Sequence, residues 1–203
     1  MRKLVFRKIE TLVEEHGMEI SMLNSPDIEP DACVYFKTRS WDGGYESGHG
    51  FDGTREEYYY DQQMMFQFMR DFIDAFDLKF CIIAPLWNYD YFESWSLSSL
   101  RENDIYKNVG KILRQKEIRR KSRSGIDIDL KEEFKILKMF MEGGFRFISR
   151  GCFIFPEIGV IIEPHHHMNL YIYSGENKEL CSKIEEISEK YEDVGFVYSK
   201  DFI

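Results

Sequence analysis

The chain predicts an α+β fold in one domain, with a mixed or antiparallel sheet of about five strands packed against about five helices. Three observations carry that expectation. The last third, Gly143 to Ile203, reads as one continuous plan: two strand patterns around a Pro156-Glu157-Ile158 turn, a charged helix, then a short closing strand, together a ββαβ unit. Upstream, apolar residues recur at helical spacing in four separate stretches. A hydrophobic content of 43% with 16% aromatics is ample for a packed core in 203 residues.

The elements follow in order. Val5, Ile9, Leu12 and Val13 space a helix over residues 3–16 that Gly17 stops. Pro26 and Pro30 bracket a loop, after which Ala32–Thr38 alternates as a strand. Residues 40–53 hold five glycines and no apolar period, so they form a loop. Thr54 and Glu57 have capping-box spacing and open a long helix whose stripe is Met65, Phe68, Met69, Phe72, Ile73 and Phe76. Lys79–Ala84 is a short interior strand closed by Pro85, followed by a second aromatic loop over 86–95. Ile105, Val109, Ile112 and Leu113 mark a helix within Ser99–Ser122, and a soft domain boundary falls near 122–128. Asp129 and Glu132 repeat the capping-box spacing before a helix that Gly143-Gly144 ends. The strands Phe145–Phe155 and Gly159–Tyr173, the helix Lys178–Tyr191 and the strand Gly195–Phe202 complete the chain. The hairpin 145–173 is expected at the sheet centre, under the Thr54 helix.

Charge restricts the function classes. A net charge of −9 argues against a general nucleic-acid binder, which needs positive charge to displace phosphate counterions. The exception is local: residues 107–123 hold eight of the 27 Lys and Arg and one of the 36 Asp and Glu, leaving 19 against 35 elsewhere. This basic helix is the basis of a nucleic-acid-binding alternative, weighed against a solvated helix paired with acidic neighbours. The four cysteines are scattered and mostly in apolar runs, which fits a reducing cytoplasm better than a disulfide framework. No apolar run approaches the ~18 residues of a membrane span, and residues 1–20 carry acids where a secretory signal is apolar.

Two acidic, aromatic loops are the candidate contact surface for a protein partner. The first offers Trp41, Asp42, Tyr45, Glu46 and Asp52, and the second Trp87, Tyr89, Asp90, Tyr91, Glu93 and Trp95. Tyr and Trp give large contact area at low entropy cost, and the carboxylates repel phosphate, so a basic protein fits better than a nucleotide. His165, His166 and His167 raise a metal alternative. On a strand, His165 and His167 share a face while His166 points away, and Glu163 joins that face only if Pro164 does not break the pleat. Two imidazoles do not close a zinc site, so no cofactor is assigned and a metal-dependent enzyme stands as the alternative. No GxSxG elbow or other nucleophile motif is present, which leans the expectation away from an enzyme.

Several segments in order carry a family resemblance: Val34-Tyr35-Phe36, the Tyr58–Asp77 helix leading into Phe80-Cys81-Ile82-Ile83, Ile136-Leu137-Lys138-Met139-Phe140-Met141, Leu170-Tyr171-Ile172-Tyr173 and Glu189-Lys190-Tyr191-Glu192-Asp193. Together they resemble a family of cytosolic proteins of Gram-positive bacteria known only as a domain of unknown function. The resemblance implies no established activity. In general look the chain is similar to immunity proteins of bacterial toxin systems: small, acidic, aromatic-rich and cytosolic. It implies a basic toxin domain as partner.

Overall fold

The computed structural model of the chain describes residues 1–18, 28–39, 41, 53–85, 90–92, 103–175 and 177–199. Its elements in chain order are β1 (Arg2–Leu4), α1 (Phe6–Glu15), β2 (Ala32–Phe36), α2 (Arg55–Ala75), β3 (Phe80–Pro85), α3 (Asp104–Gln115) and β4 (Gly125–Asp129). There follow α4 (Leu130–Phe145), β5 (Gly151–Phe155), β6 (Val160–His165), β7 (Asn169–Tyr173), α5 (Lys178–Ser188) and β8 (Val194–Tyr198). Among the described residues, five α-helices accompany one antiparallel sheet of eight strands, ordered β1-β4-β3-β5-β6-β7-β2-β8.

The α+β class is therefore as expected, but the sheet has eight strands rather than about five. β1 is only three residues long, inside a stretch whose apolar spacing reads as helix. β4 alternates Ile126 and Ile128 into the core and lies across the expected soft boundary at 122–128, paired with β1 and β3. The third extra strand comes from splitting 159–173 into β6 and β7 around a turn at His166-His167-Met168. The first strand of the hairpin begins at Gly151 instead of Phe145, because α4 runs on through Gly143 and Gly144. Those glycines permit close approach where a stop was expected: a Cβ on Gly144 would stand 2.5 Å from the Pro164 carbonyl oxygen. In the ββαβ plan, β8 does not join the hairpin directly. It pairs with β2, which lies between it and β7.

Alternation on the strands gives the sheet two apolar faces. Cys81, Ile83, Phe153, Phe155, Ile162, Leu170 and Ile172 face the main core with the stripes of α2, α3, α4 and α5. α2 meets the sheet as expected, with Met65, Met69 and Phe72 fully buried and Phe72 edge-on to Phe155 at 5.3 Å. β5 and β6 sit at positions four and five of the eight strands, so the hairpin is central. On the opposite face, Ile9 and Val13 of α1 pack with Leu4, Ile82, Ala84, Cys152, Ile154 and Ile161 in a smaller core. All four cysteines are buried free thiols, and burial pushes Cys33 up to about 12. No helix among the described residues is long and apolar enough to cross a membrane.

Candidate functional site

The first acidic loop is tied down at its leading residue. Arg39, just beyond β2, grips the fully buried Asp61 of α2 with Nε and Nη2, each 2.8 Å from a carboxylate oxygen. Trp41 Nε1 donates to the same Asp61 at 2.9 Å, and Arg39 Nη1 reaches Glu57 at 3.3 Å. A buried carboxylate is tolerable only when its lone pairs are met in this way. The Trp41 ring stands edge-on to Tyr58 at 5.2 Å and passes so close to Gly53 that a Cβ there would lie 2.6 Å from it. Trp41 is fully buried, so it has no surface to offer a partner.

Residues 90–92, the described part of the second aromatic loop, are held in the same manner. Arg120 Nε donates to Asp90 Oδ1 at 2.6 Å, and the backbone N–H of Phe92 reaches the same oxygen at 3.1 Å. Tyr91 donates its hydroxyl to the Ser124 carbonyl at 2.7 Å and packs edge-on to Phe140. Residues 90–92 run antiparallel to Lys121 on one side and Ser149 on the other. Asp90, Tyr91 and Phe92 are therefore interior residues. Trp41, Tyr91 and Phe92 all enter the core on the face that carries α2 to α5. The other expected contact residues, Asp42, Tyr45, Glu46, Asp52, Trp87, Tyr89, Glu93 and Trp95, lie outside the described residues.

The basic stretch 107–123 covers most of α3 and the segment after it. Arg120 is engaged by Asp90, and Lys116 Nζ donates to the Met1 carbonyl at 2.9 Å. Lys107, Lys111, Arg114, Arg119, Lys121 and Arg123 are exposed.

The third site is the β6–β7 connection. His165 closes β6 opposite Asn169, and Met168 N–H donates back to the His165 carbonyl at 2.9 Å. Met168 has φ +57. This is the three-residue hairpin loop in which a left-handed residue follows a tight turn. Strand alternation, which sends His166 away from its neighbours, does not apply inside it. All three imidazoles offer a ring nitrogen within 4.8 Å of one another. His165 lies flat on Tyr171 at 4.6 Å and His166 tilts against Phe147 at 4.0 Å. His165 Nδ1 is buried and has no hydrogen-bond partner. Burial, reinforced by the two neighbouring imidazoles, pushes His165 down to about 3, so its ring is neutral at ordinary pH.

Next to this turn, on the face that carries α1, the strands present polar groups instead of the aliphatic ones seen at Ile154 and Ile161. Tyr173 donates to the buried Glu163 carboxylate at 2.9 Å. Burial and that carboxylate hold the Tyr173 hydroxyl well above the ordinary phenol range. Tyr171, across from Glu163 in register, is pushed up to about 12, chiefly by burial. Sequence reasoning placed His165 and His167 on one face and missed His166. The signal available was length: a strand over 159–173 is longer than the usual 3–10 residues and holds a polar triplet near its middle.

Comparison of the chain with protein-family models, with curated proteins and with solved structures gives no match.

Proposed function

We propose that the chain acts by binding a basic protein partner, as an immunity protein neutralising a bacterial toxin domain. The observation that supports this reading most is the anchoring of both acidic, aromatic segments. Each is fastened to the core by a buried carboxylate in the grip of an arginine, Asp61 with Arg39 and Asp90 with Arg120. Fixed attachment lowers the ordering cost of binding, which is how a small surface reaches high affinity. In this reading Trp41, Asp90 and Tyr91 are anchors. Asp42, Tyr45, Glu46, Asp52, Trp87, Tyr89, Glu93 and Trp95 make the contacts. The −9 charge supplies an attractive field for a basic domain and speeds encounter.

The test begins with the gene upstream, where a large secreted protein with a variable C-terminal domain is expected. Co-expression with that domain should rescue growth and yield a complex. Charge reversal at Asp42 and Glu93 should weaken the complex and steepen its loss with salt, while the fold is kept. No rescue and no complex in the wild type would end the proposal. A nucleic-acid-binding alternative draws its support from the six exposed basic residues of 107–123.

A further inference from the structure

The histidine turn has no part in the partner-binding proposal, yet it is the most chemically specific cluster among the described residues. We propose that the β6–β7 turn is a site for a borderline-soft divalent metal ion of the zinc class, with His165, His166 and His167 as its three protein ligands. Solvent completes the coordination.

Three features of the turn carry this. The first is convergence: ring nitrogens of all three residues fall within 4.8 Å of one another. Ligands on a tetrahedral zinc at 2.0–2.1 Å stand about 3.3 Å apart, a closure that side-chain rotation in a surface turn supplies. The second is fixation. Met168 is fully buried in the main core while holding a left-handed φ of +57, a conformation that costs a residue with a side chain of its own. That buried side chain pins the turn from below, and Tyr171 and Phe147 form aromatic walls behind His165 and His166. The third is the orphaned atom: His165 Nδ1 is out of contact with water and has no hydrogen-bond partner, whereas buried polar groups normally have one. A metal ion is an acceptor for that lone pair.

The donor set selects the ion. Three imidazoles suit zinc, nickel or copper(II), whereas magnesium and calcium need oxygen ligands. Three protein ligands with His167 exposed leave coordination open toward solvent, the pattern of exchangeable and catalytic sites rather than closed structural ones. The two-faced core contains none of the three imidazoles, so chelation is expected to leave the fold intact.

The experiment uses the full chain without an affinity tag, stripped with EDTA and titrated with zinc chloride by calorimetry. One equivalent of zinc per chain is expected, with no heat from magnesium. Zinc should raise the melting temperature of the wild type by mass action. The decisive variant is His166→Gln, because a two-histidine strand site would ignore it. It should weaken zinc by more than the roughly 10–100-fold that loss of even an outer partner costs. His167→Gln, at an exposed position, should do the same. His16→Gln, just past the end of α1, should bind as wild type. Absence of saturable binding overturns the site, as does wild-type affinity in either turn variant or loss of binding in His16→Gln. Unfolding on chelation overturns the exchangeable assignment.

Discussion

Asp61 is a fully buried carboxylate at which Arg39 aims two N–H groups and Trp41 a third. Asp61→Ala leaves a guanidinium and an indole N–H without their acceptor in the interior. Removal of one partner from such a pair costs about 3–5 kcal/mol. Urea denaturation should show that loss as a lower midpoint, with Trp41 emission shifted to the red before global unfolding. An unchanged midpoint would mean the network does not carry the attachment of this loop. A second substitution tests the core below it: Met69→Asp places an unpaired charge in a fully buried position and should cost several kcal/mol, read as a large fall in melting temperature. Met69 was legible from helical spacing alone. Asp61 was legible too, had it been weighed by position instead of polarity. Tyr58, Asp61, Met65, Phe68 and Phe72 follow one another at steps of three and four, so the acid lies on the buried stripe of α2. Composition counted it with the acidic surface, and hydropathy cannot distinguish an acid met by a buried arginine from one met by water.

α2 begins with a complete capping box: Glu57 N–H donates to Thr54 Oγ1 at 3.3 Å and Thr54 N–H to Glu57 Oε2 at 2.7 Å. The Thr54 hydrogen bonds, aided by Arg39, lower the Glu57 carboxyl below its ordinary value of 4.5. A carboxyl depressed in the folded state stabilises above its unfolded value and loses that contribution as pH falls through the folded one. Wild type should therefore lose stability against Glu57→Gln on acidification below about pH 4.5, with the two melting curves converging at lower pH. A difference that grows on acidification would contradict this sign. At the other end of the helical layer, Gly144→Ala drives a methyl into the Pro164 carbonyl, a backbone atom that cannot swing aside. Overpacking of this kind costs about 1–3 kcal/mol and should part α4 from β6, with a lower melting temperature as the readout. The starts of α2 and α4 were visible because caps are local chemistry, whereas α1 begins at Phe6 rather than residue 3 and α3 at Asp104 rather than Ser99. Thr54 caps as its spacing says, and Asp129 does so through a variant in which Glu133, not Glu132, returns the bond to its N–H. Strand ends were less visible because tertiary partners set them. β1 exists because β4 offers it an edge, and the histidine turn exists because Met168 finds a place in the core.

For the molecule as a whole, acids outnumber bases by 35 to 19 outside 107–123, and that stretch already gives Arg120 to Asp90. The remaining basic surface sits inside a net negative field, and charges within about 10 Å still feel one another at ordinary salt. Passage through a heparin column at low salt without retention is the expected result. Retention with elution by salt would shift the assignment to nucleic-acid binding. The order of the sheet also sets a timetable for biosynthesis. β1, β4, β3 and β5 find all their mutual partners by Phe155. β2, made near the start, pairs only with β7 and β8, whose residues are the last of the described chain to leave the ribosome. A hydrophobic strand thus waits unpaired through most of translation, and long-range pairing of this kind is slow to form. Nascent chains stalled before Asn169 should be cut by protease within 32–36, a segment that becomes resistant once Tyr198 has emerged.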